Sequence, residues 1–318
     1  MILYLVVPCY NEEEGLKDSA YKLREYLHSL EQNQLVKAGS KIVLVNDGSS
    51  DGTRKIMDDL HAEDPVFTTI HFSRNYGHQY AVMAGYEFAK DKCDACISID
   101  ADLQQDINAI RLFIERYNEG CDIVYGVRNT RDTDGFFKKW TSQAFYHMMN
   151  AFGCKIIPNH ADYRLLSNKA LQALSRYQEG TVFLRGMVPE LGFTSEIVYF
   201  DVFERTAGSS KYTLKKMMTL ARDGITSFSE APVHMILYAG ILLSGIGTVG
   251  LIIMAILALL HLTVGVWPMV FFGGLLTGIV LVSNGILGIY TVRSYMESKH
   301  RPRYLIDSIA HTPEKEEV

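Results

Sequence analysis

The sequence predicts an α/β domain with a doubly wound, mostly parallel sheet, followed by a two-helix transmembrane hairpin. Three observations point there. Over residues 1–130, short apolar runs alternate with polar stretches of helical spacing, as in a parallel sheet with helices on its faces. Acidic residues cluster where several of those runs end. Between Glu230 and Arg293 there is no Asp, Glu, Lys or Arg at all, whereas one membrane-spanning helix needs about 20 apolar residues.

The apolar runs 4–7, 42–45, 68–72, 95–99 and 123–126 predict strands, and the stretches 13–30, 53–60, 79–90 and 107–117 predict helices. A further helix is expected over 135–153 and a strand over 196–203, where apolar residues alternate. The stretch 213–228 predicts an amphipathic helix, basic on one side, lying on a membrane surface. The charge-free stretch holds spans near 233–260 and 267–292, because soluble helices of that length carry a polar stripe. The loop 261–266 is too short to be a domain, so both ends of the hairpin fall on one side of the membrane. Lys211, Lys215, Lys216 and Arg222 precede the spans, and Arg293, Lys299, Arg301 and Arg303 follow them. This basic flanking marks the cytoplasmic face.

The expected organisation is therefore a cytoplasmic domain over 1–212, an interfacial helix over 213–230, two spans within 231–292 and a cytoplasmic tail over 293–318. Residues 1–7 are apolar without a basic start and read as a first strand, not a leader. The polar end of the tail, 314–318, is expected to be disordered. The expected location is the inner (plasma) membrane, with both termini cytoplasmic. Five cysteines, Cys9, Cys93, Cys96, Cys121 and Cys154, are odd in number and lie on the reducing side, so free thiols are expected. Cys93 and Cys96 have C-x-x-C spacing but enter a strand and lack a second pair, so they read as small core residues. The net charge of −5 says little about partners, and no nucleic-acid partner is expected. Gly245, Gly247 and Gly250 match a dinucleotide-binding spacing, but inside a span and after no strand. Small residues there suit close helix packing.

Asp100-Ala101-Asp102 closes the run 95–99. Carboxylates at the carboxyl end of a strand in such a sheet point into the crevice where ligands bind. Two of them supply hard oxygen ligands for Mg²⁺ or Mn²⁺, which complete their shells with water and substrate phosphate. Pro8-Cys9-Tyr10-Asn11-Glu12 ends the first strand, and Asn46-Asp47-Gly48-Ser49 the second, on the same edge. Asp51 or Thr53 can cap the next helix, whereas Asp47 leaves its strand towards the crevice, able to accept hydrogen bonds from a base or ribose. Three acidic strand ends around one crevice repel one another unless a cation is bound. His78, His147 and His160 are scattered and read as surface or core histidines.

These segments resemble inverting family 2 glycosyltransferases of the GT-A fold. More narrowly, the chain is similar to the dolichol-phosphate mannose synthase and bactoprenol (undecaprenyl-phosphate) glucosyltransferase group, over nearly its whole length. Ala161-Asp162-Tyr163-Arg164-Leu165-Leu166 and Phe183-Leu184-Arg185-Gly186 resemble that group's acceptor-side motifs, and the segment from Arg205 through Gly208, Ser210, Lys211 and Tyr212 its R-x-x-G-x-S-K-Y segment. The stretch from Glu297 to Tyr304 is typical of the bactoprenol members. One departure is Gln105-Asp106-Ile107, where relatives often carry Pro; it is expected to alter the local turn more than the metal site.

The resemblance implies roles. Asp100 and Asp102 would hold the metal on the donor diphosphate, with Gln104 nearby. Pro8, Tyr10, Glu12 and Asp47 would cradle the uridine. Arg205, Ser210 and Lys211 would clamp phosphate oxygens, of the lipid or the diphosphate, with Arg185 on the same side. Asp102, Asp162 and Arg205 are the catalytic candidates. Asp162 is either the base or a positioning group, since a phosphate monoester is already largely anionic near pH 7. It is otherwise the cap of a helix start or the ion-pair partner of Arg164 and Arg185.

The implied reaction moves one sugar from a UDP-sugar, glucose before others, to undecaprenyl phosphate at the bilayer. GDP-mannose and a modified aminoarabinose donor are the variants, and a homo-oligomer stays open. A processive polysaccharide synthase would need a Q-x-x-R-W motif and more spans. A membrane scaffold that binds nucleotide-sugar without turnover is the non-enzyme alternative.

Overall fold

The computed structural model describes residues 1–129, 157, 160–180, 182–201 and 302–312, with single positions between 269 and 299. The chain divides into two units. One comprises Met1–His147, Lys155–Met217 and Pro302–Val318; the other comprises Met148–Cys154 and Met218–Arg301.

In the first unit the order is β1 (Leu3–Cys9), α1 (Leu16–Gln32), β2 (Lys41–Asn46), α2 (Thr53–Glu63), β3 (Phe67–Phe72), α3 (His78–Ala89), β4 (Ala95–Ser98), α4 (Ala109–Asn118) and β5 (Ile123–Arg128). It continues with β6 (His160–Ser167), α5 (Asn168–Leu174), α6 (Leu184–Glu190), β7 (Ser195–Phe200) and β8 (Ile306–Ala310). These strands form one eight-stranded sheet in the order β7-β5-β6-β4-β1-β2-β3-β8. β1 lies at the centre, parallel to β2 and β4, and β2 is parallel to β3. β6 and β8 run antiparallel to their neighbours.

The central strands are buried along their whole length, as continuous apolar runs require when helices cover both faces. The helices cover them with narrow stripes. In α1, Leu16, Ala20, Leu23, Leu27 and Leu30 recur at three- and four-residue spacing and are all buried. α3 approaches the sheet closely: a Cβ on Gly85 would stand 2.3 Å from a Val6 methyl. Cys9, Cys93, Cys96 and Cys121 are buried free thiols, and Cys96 sits in β4 as expected.

The five expected strands of residues 1–130 and their four helices are present. Three features differ from expectation. The motif around Asp162 is a strand, β6, inserted antiparallel between β4 and β5, and not a helix start. β7 ends at Phe200, before the expected 203. The segment expected only as a tail after the spans holds a strand not expected there, β8, which pairs β3 from Thr69↔Ala310 to Phe72↔Ile306.

In the second unit, every described position from Met269 to Ser298 is helical. The expected helices over 135–153 and 213–228, the first span, the loop 261–266, most of the second span, the end 314–318, Cys154, His147, Gly245, Gly247 and Gly250 lie outside the described residues. Among the described residues, no helix is long and apolar enough to cross a membrane.

Candidate active site

The carboxyl ends of β1, β2 and β4 meet at one edge. The turns after β1 and β2 are tied together by backbone groups. Asn11 N donates to Ser49 Oγ at 3.0 Å, Ser50 N to Asn11 Oδ1 at 2.9 Å and Glu12 N to Thr53 Oγ1 at 2.9 Å. Gly48 is required there: its φ is +63°, and a Cβ would lie 2.2 Å from the Arg74 backbone. Tyr10 is 41% exposed at this edge, whereas Pro8 is a buried residue of β1 paired with Val45.

Asp47 has partners within the chain. Its carboxylate is buried and accepts from Tyr76 N at 2.7 Å and from Gly77 N at 2.9 Å. It thereby holds the loop that leads into α3. Burial raises its pKa, against the lowering effect of these amide bonds. Of the three acidic strand ends, the one at Asp47 is thus turned to backbone amides, and those at Glu12 and at Asp100-Asp102 remain.

Asp100 follows β4, with its side chain 31% exposed. The β4–β6 register runs from Ala95↔Ser167 to Ser98↔Arg164. Two further residues along each strand place Asp100 opposite Asp162. His78, the first residue of α3, stands between them, with Nε2 3.7 Å from Asp100 Oδ1 and 3.7 Å from Asp162 Oδ2. Gln105 Nε2 donates to Asp100 Oδ2. The departure at Gln105 thus reaches beyond the local turn to the Asp100 carboxylate. Leu103 takes a φ of 44°, and Gln104 N donates to Asp102 Oδ1 at 3.3 Å, so the turn folds back over the second carboxylate.

Asp162 is the most heavily bonded acid of the edge. Arg164 Nη2 donates to Oδ1, Arg185 Nη2 to Oδ2 at 3.2 Å and Gln79 Nε2 to Oδ2 at 3.2 Å. Its side chain is 9% exposed and that of Arg164 is fully buried. Burial alone would raise its pKa. Arg185 and Arg164, with smaller help from His78 and His160, outweigh burial and hold it well below the usual carboxylate range. An acid kept this firmly ionised is a weak proton acceptor and a strong anchor for cations and donors. Behind it, the Ser98 hydroxyl donates to Asp162 O at 2.7 Å, and Tyr86 OH to Ser98 Oγ at 2.8 Å.

This is an edge with two adjacent carboxylates on one side and an arginine-held third acid facing them. The family model of glycosyl transferase family 2 matches residues 4–188, from β1 into α6. The chain belongs to this family. It is 43% identical over 309 residues to the uncharacterized glycosyltransferase YkoT of Bacillus subtilis, covering 96% of this chain and 91% of that protein. It is 36% identical to the bactoprenol glucosyl transferase of Shigella phage SfV, covering 96% and 98%. With the prophage bactoprenol glucosyl transferase homolog of Escherichia coli K12 it shares 34%, covering 97% and 99%.

The glycosyltransferase carries the α/β, mostly parallel sheet that the GT-A resemblance implied. Asp100 and Asp102 fit a divalent ion by donor chemistry: both offer oxygen, and they stand one residue apart on a turn at the crevice edge. Among the described residues no group of three His, Cys, Asp or Glu could hold an ion by itself. Two carboxylates plus substrate phosphate are a usual shell for Mg²⁺. Arg205, Ser210 and Lys211 lie outside the described residues.

Three site residues escaped the sequence reading: His78, read as scattered, and Gln79 and Gln105. A charged or amide residue at the first position of a helix, or just past an acidic turn, carries no pattern of its own. The placing of α3 over the sheet brings His78 and Gln79 to the edge, and the turn after β4 brings Gln105. His160 is a core residue, as expected: it is 4% exposed, with its ring 5.1 Å from Tyr125, edge to face.

Proposed function

We propose that this glycosyltransferase moves one sugar, with inversion, from a UDP-sugar to a polyprenyl phosphate at the surface of the membrane that anchors it. Glucose is the favoured sugar and undecaprenyl phosphate the favoured acceptor. The observation that carries the reading is the extent of the likeness. Bactoprenol glucosyl transferases align over 96–97% of this chain, and so across the charge-free stretch as well as the sheet.

The site supports each part of the reaction. Mg²⁺ or Mn²⁺ on Asp100 and Asp102 would offset the charge that develops on the departing nucleotide diphosphate. Tyr10 and Glu12 stand at the edge where the uridine would lie. Asp162, held ionised, positions rather than deprotonates, because the acceptor phosphate is itself an oxyanion above about pH 6. Arg185, paired with Asp162 and with its side chain 21% exposed, can hold an acceptor phosphate oxygen by a charge-assisted hydrogen bond. Arg205, Ser210 and Lys211 complete that clamp in the proposal.

Two observations support the anchoring. Met269, Leu276, Val280 and Leu287 are exposed on the helical positions of the second unit, where a lipid environment would cover them. The chain also leaves the first unit after Met217 and returns to it at Pro302. A membrane excursion between those points crosses an even number of times, as a hairpin does.

The test uses the purified full chain in detergent with undecaprenyl phosphate, Mg²⁺ and radiolabelled UDP-glucose. A solvent-extractable, lipid-linked glucose is the expected product. Product from GDP-mannose and none from UDP-glucose would replace the donor. Loss of UDP-sugar to water alone, whatever the lipid, would overturn the acceptor.

A further inference from the structure

We propose that Arg303, which follows the charge-free stretch, is a positioning residue for the acceptor side of the site. It acts through the backbone that leads into Arg185. The proposal deepens the glycosyl-transfer reading and rests on it for the identity of the acceptor.

Arg185 is the second residue of α6, a helix of only seven residues. So short a helix does not hold its own place, and its entry is fastened from outside. Leu184 N donates to Gln79 Oε1 at 3.1 Å, and Tyr80 OH donates to Gly180 O at 2.8 Å; both partners belong to α3. The third fastening comes from far along the chain. Arg303 Nε donates to Glu179 O at 2.9 Å, while its Nη1 pairs with Glu87 of α3 at 3.1 Å. One guanidinium thus staples the entry of α6 to the helix that carries His78 and Gln79.

The staple is itself anchored. Its side chain is 11% exposed. Tyr304 OH donates to the same Glu87, and the Tyr304 ring stacks on Phe72 with centroids 4.8 Å apart. Ser73 N donates to Leu305 O at 3.1 Å, and β8 follows at once. A planar guanidinium fixes two directions together, which an ammonium does not. Without it, the Glu179 carbonyl and the Glu87 carboxylate each lose a cationic donor, and the entry of α6 loses one of its ties to α3. A displaced Arg185 would hold the acceptor phosphate by a weaker charge-assisted hydrogen bond, which reads out as a raised acceptor KM. Arg303 is therefore placed to govern where Arg185 meets the acceptor.

The experiment compares Arg303→Met, Arg303→Lys and Glu87→Gln in the full chain. Arg303→Met should raise the KM for polyprenyl phosphate about fivefold or more, and leave the KM for the UDP-sugar within about twofold. Arg303→Lys should fall between Arg303→Met and the unchanged enzyme. A loss of kcat with both KM values unchanged would mark a merely structural role and overturn the proposal. Cleavage after Glu179 by a Glu-specific protease provides a readout that needs no acceptor. It should quicken about tenfold in Arg303→Met, and an unchanged rate would also overturn the proposal. If the unchanged enzyme transfers nothing to polyprenyl phosphate, the acceptor reading fails while the protease result still decides the staple. If Arg303→Met does not fold, Glu87→Gln carries both measurements, with the same expected direction.

Discussion

Asp100 and Asp162 face each other across two antiparallel strands, and the same imidazole nitrogen of His78 lies 3.7 Å from each. Two carboxylates so placed repel unless their surroundings differ. Here they do: Asp162 is gripped by two arginines, and Asp100 stays partly open beside Asp102. The edge therefore separates a partly exposed acid from an arginine-held one.

Asp162→Asn should lower sugar transfer at least tenfold, by about one lost charge-assisted hydrogen bond from Arg185 and one from Arg164. Because the arginines keep this acid ionised far below neutrality, the loss should be the same from about pH 6 to pH 9. Initial rates of the two proteins across that range decide the point. A loss that is deep at low pH and disappears as the acceptor ionises would identify Asp162 as a base instead.

Asp102→Ala and Asp100→Asn should each abolish transfer while the protein still folds. Excess chelator should silence the unchanged enzyme, and Mg²⁺ or Mn²⁺ should restore it. Calorimetry gives a second reading: UDP should bind more weakly without the ion, because two carboxylates then face a diphosphate with nothing between them. Full transfer in chelator would remove the ion from the mechanism.

His160 governs stability in acid. Both its ring nitrogens are buried without a hydrogen-bond partner. Burial, then Arg164, holds its pKa well below the ordinary histidine value. Burial also lowers that of His71, which sits 3.0 Å from Asp58. In the unfolded chain both take up a proton near pH 6.5. Below that value the unfolded state binds more protons, so stability is present above about pH 6.5 and is lost as pH falls towards the folded values. The Asp162 contribution disappears in a separate window, below about pH 4. Urea midpoints of the full chain in detergent should be lower at pH ~5 than at pH ~7.5. His160→Phe should raise the neutral midpoint and flatten this decline, and an unchanged decline would contradict the assignment.

Membrane topology is open to labelling. A single engineered cysteine in the loop 261–266 should react with an impermeant reagent added outside intact cells. One placed at Lys315 should react only after lysis. Labelling of both from outside would break the hairpin.

Much of this was legible in sequence because parallel strands buried on both faces must read as apolar runs. Leu3–Cys9 and Lys41–Asn46 announce themselves, and the acids that end such strands announce the crevice. β6 stayed hidden because its buried polar residues, His160, Asp162 and Arg164, break the apolar signal that marks a strand. β8 stayed hidden because an edge strand with exposed Ile306 and Ile309 has no buried face to impose a pattern. Asp47 is legible in sequence as a strand-end acid at this edge, but its place in the loop that leads into α3 is not. Its actual partners, the amides of Tyr76 and Gly77, leave no trace in side-chain chemistry.

The pairing of β8 with β3 also dictates an order of assembly. Arg54 and Asp307, joined at 2.8 Å beside that pairing, are 253 positions apart, and the whole charge-free stretch lies between them. During synthesis, the flank of β3 must wait as an unpaired edge until the ribosome has delivered everything in between. Contacts of such long range are slow to close, and a waiting edge is a template for the wrong neighbour. The sheet is thus completed only after the greasy segment has emerged, so a nascent chain stalled there exposes an open β-edge to chaperones and proteases.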